Sequence, residues 1–184
     1  LKDNELIIMH DDNFLRTTGI DQKLYNLNST ELEPLNQANI WMDWEKQITP
    51  TLRQSLKIMH DFDHIEVEVK AVETLEQAEK LITELQKQLK GFENTAVITS
   101  FDLKIHQTLI QQKSHFKHGL LIEADIQEKA IEQALALKCC QIGWMNQLAT
   151  DEIIKATQDA GLKISVWTVN EINRAKRLRD LGID

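Results

Sequence analysis

Short runs of alternating apolar and polar residues recur along the chain, separated by segments whose apolar residues repeat every three to four positions. The first pattern predicts strands and the second predicts amphipathic helices. From residue 65 onward the predicted strand and helix pairs are 65–70 with 74–90, 96–101 with 102–112, 119–122 with 126–137, 139–144 with 150–160, and 163–169 with 171–181. Five βα units in series indicate a parallel sheet covered by helices, either a doubly wound sheet or a (β/α)8 barrel.

The first sixty residues show fewer regular patterns. Residues 6–9 form an apolar run that predicts a short strand ending at His10, and residues 13–28 carry turn signals that predict a loop. Residues 29–32 predict a capped helical turn. Thr49 followed by Pro50 is typical of a helix start, so we expect Thr49 to cap a helix that runs to about Met59.

The strand at 65–70 carries an unusual set of charges. Successive side chains of a strand point to opposite faces, so Val67 and Val69 lie on one face and Glu66, Glu68 and Lys70 on the other. Burying unpaired charges is costly, so this charged face needs a partner. Solvent, an internal ion pair, or a metal ion with an anionic substrate would each serve.

Composition narrows the function classes. The 184 residues carry a net charge of −8, and 42% are hydrophobic and 27% charged, which suits one globular domain. We expect no nucleic-acid partner, because nucleic-acid binders usually carry a basic stripe. We also expect no transmembrane segment, because no apolar run approaches the roughly 20 residues that span a bilayer.

The two cysteines, Cys139 and Cys140, are neighbours in the chain. Neighbouring strand residues point to opposite faces, so we expect no disulfide between them. Free thiols favour a reducing compartment, so we expect a cytoplasmic protein. Nearby histidines would be needed for a metal site at the cysteines, and none is suitably spaced. Five histidines lack any partner pattern: His60, His64, His106, His115 and His118.

In a barrel enzyme the chemistry gathers where the strands pass into the loops that follow them. A metal-assisted site for an anion needs several groups at one rim: an acid or base, carboxylates, a positively charged side chain and aromatic walls. The predicted strand ends supply such groups: His10-Asp11, Glu66, Glu68, Lys70, residues 100–102, Glu123, Trp144 and residues 167–170.

Five short motifs follow one another along nearly the whole chain. They are Ile-Met-His-Asp at 8–11 with Leu-Arg-Thr-Thr-Gly at 15–19 and Ser-Thr-Glu-Leu at 29–32; Pro-Thr-Leu at 50–52; Glu-Val-Lys at 68–70; Ser-Phe-Asp at 100–102; and Trp-Thr-Val-Asn at 167–170. In order and spacing they resemble the motifs of glycerophosphodiester phosphodiesterases. Each motif is short, and the specificity lies in their shared order.

The resemblance implies a TIM barrel, with residues 6–9 as the second arm of a hairpin beside it. It implies hydrolysis of glycerophosphodiesters to sn-glycerol 3-phosphate and an alcohol, within glycerol and lipid metabolism. It also implies a divalent cation, Ca²⁺ or Mg²⁺, with Glu68 as a ligand. His10 would be one of two histidines acting as general acid and base, and Lys70 would lie beside the phosphate. Phe101 and Trp167 would wall the glycerol pocket.

Three strands of the family pattern have no counterpart in this sequence: the opening one with H-R-G and E-N-T, the next one with E-x-D, and the closing one with T-D. We therefore expect one barrel domain over residues 1–184 that is truncated at both ends, with one acid/base histidine of two and one metal carboxylate of about three. Two functions stay open: a metal-dependent phosphodiesterase in its full-length form, or a catalytically incomplete barrel with a binding or structural role. A weaker alternative is a barrel phospholipase, which would need an apolar rim.

Plainer interpretations compete for several of these residues. Glu66 is expected to be exposed rather than a metal ligand, and Asp102 to cap its helix. Phe101 and Trp167 would also suit a core. Two further tryptophans lie in a connecting segment and are interpreted either as lid residues or as simple packing: Trp41 and Trp44.

Overall fold

A computed structural model describes residues 5–183 of the chain. The chain divides into two compact units, an N-terminal unit of residues 1–62 with 83–89 and a barrel unit of residues 63–82 with 90–184. Residues 1–4 and 184 lie outside the described part. The expected truncation of the domain concerns these two ends, so it stays a prediction. In the described part, no helix is both long and apolar enough to cross a bilayer.

Three short helices belong to the N-terminal unit: α1 (Leu15–Thr18), α2 (Ser29–Leu32) and α3 (Leu52–Ile58). The predicted turn at 29–32 is confirmed, with Asn28 as its cap. The predicted loop at 13–28 instead contains α1 and a 3-10 turn at Leu24–Asn26. Helix α3 begins two residues later than predicted, because Thr51 rather than Thr49 forms the capping box with Gln54.

The predicted strand at residues 6–9 is wrong. Ile7 makes an isolated antiparallel bridge with Thr51, and the flanking bonds run from the Leu52 N–H to the Leu6 carbonyl (2.7 Å) and from the Ile8 N–H to the Pro50 carbonyl (2.9 Å). The pairing stops on one side because the second segment turns into α3 at Leu52, and on the other because Pro50, opposite Ile8, has no N–H to return the bond. Residues 6–9 therefore form a single bridge rather than a strand, because their partner segment is too short for a ladder of hydrogen bonds.

Five parallel strands form the sheet of the barrel unit in the order β1-β2-β3-β4-β5, and each is followed by a helix, as predicted. A (β/α)8 barrel that is incomplete in this chain is thereby confirmed as the fold. The strands are β1 (Ile65–Glu68), β2 (Ala96–Ser100), β3 (Lys117–Ile122), β4 (Gln141–Met145) and β5 (Lys163–Trp167), and the helices are α4 (Leu75–Gln88), α5 (Leu103–Gln111), α6 (Glu128–Ala136), α7 (Asp151–Asp159) and α8 (Ile172–Asp180).

A hydrogen bond across the inner face shows that this sheet curls. The Nε2 of Gln141 on β4 donates to Oε1 of Glu66 on β1 over 2.7 Å. In a flat sheet these strands would stand about 14 Å apart, three strand spacings, so the sheet must bend toward this face. Gly119 on β3 makes room, because a Cβ there would meet the Gln141 Cγ at 2.3 Å.

The outer face of the sheet packs against the helices and forms the core of the barrel unit. Trp144 on β4 is 1% exposed, and its indole Nε1 donates to Oγ1 of Thr157 on α7 over 3.2 Å. Trp144 therefore belongs to the core, and its expected place among the rim residues is wrong. Further members of this core come from β3, β4, α6 and α7: Leu120, Ile122, Ala130, Ala134, Ile142 and Ile154.

Candidate active site

The carboxyl end of β1 carries the expected charged pair. Ile65 and Val69 are buried while Glu68 and Lys70 are exposed, so the strand alternates as predicted. The Lys70 Nζ lies 2.5 Å from Oε1 of Glu68. The pair combines a carboxylate, which suits a hard divalent cation, with an ammonium group, which suits a phosphate.

Two aromatic rings that the sequence analysis placed in the pocket meet at the same end of the sheet. Phe101 follows β2 and Trp167 ends β5, and their ring centroids lie 5.5 Å apart in an edge-to-face arrangement. The Trp167 Nε1 donates to the Gly143 carbonyl over 3.1 Å, which fixes the orientation of the indole. Both side chains are half-buried, so each keeps an accessible surface.

The two polar residues that flank Phe101 organise the loops at this rim. The hydroxyl of Ser100 donates to the Val69 carbonyl over 2.7 Å. The carboxylate of Asp102 accepts the N–H groups of Val72 (3.0 Å) and Lys104 (2.9 Å), so the predicted helix cap is confirmed. Burial alone would raise the pKa of Asp102, but these two bonds, together with the side-chain bond and the charge of Lys104, outweigh it and lower that pKa.

In the N-terminal unit, His10 belongs to a hydrogen-bonded chain of three side chains. Its Nδ1 lies 2.7 Å from Oδ1 of Asp11. Asp11 also accepts two bonds from Arg16, at 2.7 Å from Nε and 3.1 Å from Nη2. The bonds from Arg16, then the bond with His10, lower the pKa of Asp11 to about 2, so its carboxylate stays ionised. Because Asp11 holds Nδ1, the exposed ring presents Nε2 to its surroundings.

The loop that carries Arg16 has its own internal support. Phe14 is fully buried, and its carbonyl accepts the Thr18 hydroxyl at 2.8 Å. Gly19 closes α1 with a φ of 77°, a conformation in which glycine meets no Cβ penalty. The Leu-Arg-Thr-Thr-Gly motif thus forms a supported turn that holds Arg16 against Asp11 beside His10. The role of Arg16 depends on this contact with Asp11 and could not be predicted from the motif alone.

The structure thus joins the predicted site residues in pairs, Glu68 with Lys70 and Phe101 with Trp167. His10 belongs to the other unit, so its place on a common rim with Glu68 stays a prediction. Trp41 and Trp44 are exposed, at 45% and 68% of their surface, which argues against simple packing of these two side chains.

A second group of reactive side chains lies away from the rim, and the sequence analysis missed it. His106, His118 and Cys139 are buried with their ligand atoms within 4.8 Å of one another, so the expectation that no histidine accompanies the cysteines is wrong. Burial lowers the pKa of His106, and burial with His106 nearby lowers that of His118 to about 4. Burial also raises the pKa of the Cys139 thiol to about 12.

One sequence signal could have indicated this group: each of the two histidines occupies a position on the apolar face of its helix or strand. His106 lies one position after Ile105 and three before Leu109, and His118 alternates with Leu120 along its strand. Both positions therefore face the core, whereas the spacing along the sequence relates neither to Cys139. Cys139 and Cys140 are both free thiols, as predicted.

Known proteins with the same architecture share one activity in their names. The chain is 24% identical over its full length to a glycerophosphodiester phosphodiesterase of Caldanaerobacter subterraneus subsp. tengcongensis, of which it covers 76%. Its fold is similar to that of an Oleispira antarctica phosphodiesterase solved in complex with the product sn-glycerol-3-phosphate (TM-score 0.82, 19% identity, 99% of this chain and 74% of that one). It is also similar to the Thermotoga maritima glycerophosphodiester phosphodiesterase (TM-score 0.74, 21% identity, 98% and 74%).

The sequence profile of the Glycerophosphoryl diester phosphodiesterase family matches residues 1–184. The match spans every motif on which the resemblance depends, from His10-Asp11 to the Trp-Thr-Val-Asn segment at 167–170. The chain therefore belongs to the glycerophosphoryl diester phosphodiesterase family, a family of enzymes.

Proposed function

We propose that the full-length protein hydrolyses glycerophosphodiesters to sn-glycerol 3-phosphate and an alcohol, by histidine acid–base catalysis and with a divalent cation. The observation that carries the proposal is the Glu68–Lys70 pair at the carboxyl end of β1, in a chain that matches this family over all its residues. A phosphodiester anion repels nucleophiles and has a poor alkoxide leaving group. A positive contact at its oxygens and a proton donor at the leaving group answer these two difficulties.

His10 supplies one half of the acid–base pair. Its Nδ1 is held by Asp11, which Arg16 keeps ionised and in place, so Nε2 is the atom that exchanges a proton with the substrate. In one role it deprotonates the attacking oxygen, which is water or the glycerol 2-hydroxyl. In the other role it protonates the departing oxygen. The second histidine of the family pair belongs to the H-R-G motif, which this sequence does not contain.

The ligand type at the rim, a carboxylate, suits Ca²⁺ or Mg²⁺. Glu68 offers carboxylate oxygens, the ligand type that both ions prefer, and it is partly exposed at 30% of its side-chain surface. When bound, the ion would neutralise charge on a non-bridging phosphate oxygen. Further carboxylates are needed to complete the coordination, and in the family the E-x-D motif provides two of them. Glu66 is not assigned to the ion, because its Oε1 accepts the Gln141 amide and ties this carboxylate to β4.

Lys70 and the two aromatic rings complete the proposed pocket. The Lys70 ammonium group adds a contact to the phosphate that strengthens as negative charge develops. Phe101 and Trp167 form a wall that matches the small glycerol moiety. The two free thiols, Cys139 and Cys140, support a cytoplasmic location.

The direct test is release of sn-glycerol 3-phosphate from glycerophosphocholine by the full-length protein, measured in a coupled assay with a glycerol-3-phosphate dehydrogenase. We expect release that a chelator abolishes and that added Ca²⁺ or Mg²⁺ restores. A calcium-selective chelator separates the two ions. Absence of chelator-sensitive release across several head groups would contradict the proposal and favour a binding or structural role.

Replacing Glu68 with glutamine tests the metal assignment. Loss of one carboxylate ligand is expected to lower kcat/KM by roughly 100-fold or more, since a metal ion supplies several kcal/mol of transition-state stabilisation. Higher metal concentrations should recover part of the loss. Glu76→Gln is the matched control, because Glu76 also pairs with a lysine in the barrel unit, Lys80 at 2.8 Å, but lies on α4. Unchanged metal dependence in Glu68→Gln would remove this residue from the coordination sphere.

A further inference from the structure

The buried group of His106, His118 and Cys139, named here the helix-side cluster, has the geometry of a metal site. The Nδ1 atoms of the two histidines lie 3.0 Å apart. The Cys139 Sγ lies 3.5 Å from Nδ1 of His118 and 3.8 Å from Nδ1 of His106. The three residues are 0%, 8% and 6% exposed in the order of their numbers, so solvent does not compete for these atoms.

The cluster lies on the side of the sheet that faces the helices. His118 is on β3 with Leu120 and Ile122, the outward-facing core residues of that strand. Glu68 is on the inner face, because its register partners across the sheet run through Thr99 to Gly119. The cluster therefore belongs to a different face of the sheet from the proposed catalytic cation.

The distances match those of a coordinated ion. With metal–nitrogen bonds of about 2.0–2.1 Å and metal–sulfur bonds of about 2.3 Å, tetrahedral ligands stand about 3.4 Å apart for two nitrogens and about 3.6 Å apart for nitrogen and sulfur. The three separations in the cluster, 3.0, 3.5 and 3.8 Å, differ from these values by a few tenths of an ångström. An ion can thus enter with little movement of the ligand atoms.

The tautomer of His106 is already the one that coordination needs. Its Nε2 lies 3.1 Å from the Ser100 carbonyl, which can only accept, so Nε2 carries the proton. The lone pair of Nδ1 then points into the cluster. Ligating histidines commonly hold their second nitrogen on a backbone carbonyl in this way. Without an ion, the ring of His118 donates its Nδ1–H to that lone pair, and the cluster is a hydrogen-bonded triad.

We infer that the helix-side cluster binds a thiophilic metal ion, Zn²⁺ or Cu⁺, through Nδ1 of both histidines and the thiolate of Cys139. Two imidazoles and one thiolate favour these ions over Ca²⁺ and Mg²⁺, which require oxygen ligands. Binding displaces the thiol proton to solvent, and the proton of His118 moves from Nδ1 to Nε2. The bound ion connects β3, α5 and the residue that leads into β4, so it stabilises the barrel unit.

Cobalt(II) is the probe, because a cobalt–thiolate bond gives a near-ultraviolet charge-transfer band that carboxylate sites elsewhere in the protein cannot produce. We expect this band, with the visible bands of a tetrahedral site, when Co²⁺ is added to the metal-free, reduced protein. Stoichiometric Zn²⁺ should displace the cobalt. In a parallel anaerobic arm, retention of Cu⁺ against a competing chelator distinguishes the two ions.

Cys140→Ser is the matched control for Cys139→Ser, since the two thiols are neighbours and Cys140 is outside the cluster. The Cys139 variant should lose the charge-transfer band and any metal-dependent rise in Tm, whereas the Cys140 variant should keep both. Circular dichroism checks that each variant folds. No band with excess Co²⁺ together with no retention of Cu⁺ in the wild-type protein would overturn the inference whatever the variants do, and so would a band that survives in folded Cys139→Ser.

Discussion

His10→Ala in the full-length protein is expected to lower kcat for sn-glycerol 3-phosphate release by roughly 10²–10⁴-fold, the usual contribution of a positioned general acid or base. The fold should be unaffected, because the imidazole is 81% exposed and pairs with the neighbouring Asp11. Asp11 keeps its two bonds from Arg16 in the variant, so the loop retains its support. The measurement is kcat on glycerophosphocholine at saturating metal, with a circular dichroism spectrum of each variant.

His60→Ala is the control for this experiment. His60 is also an exposed histidine beside an aspartate, with Nε2 at 3.0 Å from Oδ2 of Asp61, and it belongs to the same unit. Its replacement should leave kcat unchanged. If His10→Ala keeps full turnover, His10 is not in the mechanism. If both variants lose activity equally, the loss reflects a general effect of removing exposed histidines.

Trp144→Ala is expected to destabilise the protein by about 3–5 kcal/mol, the range for removing a buried aromatic side chain. Trp144 is 1% exposed among residues of β3, β4 and α7, so its loss leaves a cavity. The Thr157 hydroxyl also loses the indole as a donor, although it keeps its own bond to the Ile153 carbonyl at 2.7 Å. Since domains are stable by roughly 5–15 kcal/mol, this loss is a large fraction of the total.

The free energy of unfolding from urea titrations checks this expectation. Trp144→Phe should cost less, because most of the ring volume remains while the hydrogen bond is lost. Trp44→Ala provides the exposed comparison, with a tryptophan that is 68% exposed, and should change stability by no more than about 0.5 kcal/mol. If Trp144→Ala lowers the free energy of unfolding by no more than Trp44→Ala does, Trp144 does not hold the core together.

Local patterns predicted much of this fold because they depend on neighbours in the sequence. The five βα units come from apolar periodicity, and the cap at Asp102 comes from a side chain that reaches the next turn of backbone. Elements that need a distant partner were harder to predict. Residues 6–9 look like a strand, but whether they form one depends on the segment at 50–52.

The same distinction holds for the candidate site. Lys70 lies two positions after Glu68, the last residue of β1, so the alternation of side chains along an extended segment predicted that the two lie on the same side. Trp144 was misplaced because a strand-end position does not tell which face of the sheet a residue occupies until the register is known. The helix-side cluster is formed by residues from α5, β3 and the segment before β4, and no pattern along the chain joins them.

The hydrogen bond between Gln141 and Glu66 gives the two glutamates of β1 different roles. Glu66 and Glu68 point the same way, yet Glu66 braces the interior while Glu68 is available at the mouth. On the proposed assignment of Glu68 to the cation, position 68 can therefore be varied to test metal preference while that brace stays in place. A change at position 66 would instead release the Gln141 amide that lies beside Gly119 on the inner face.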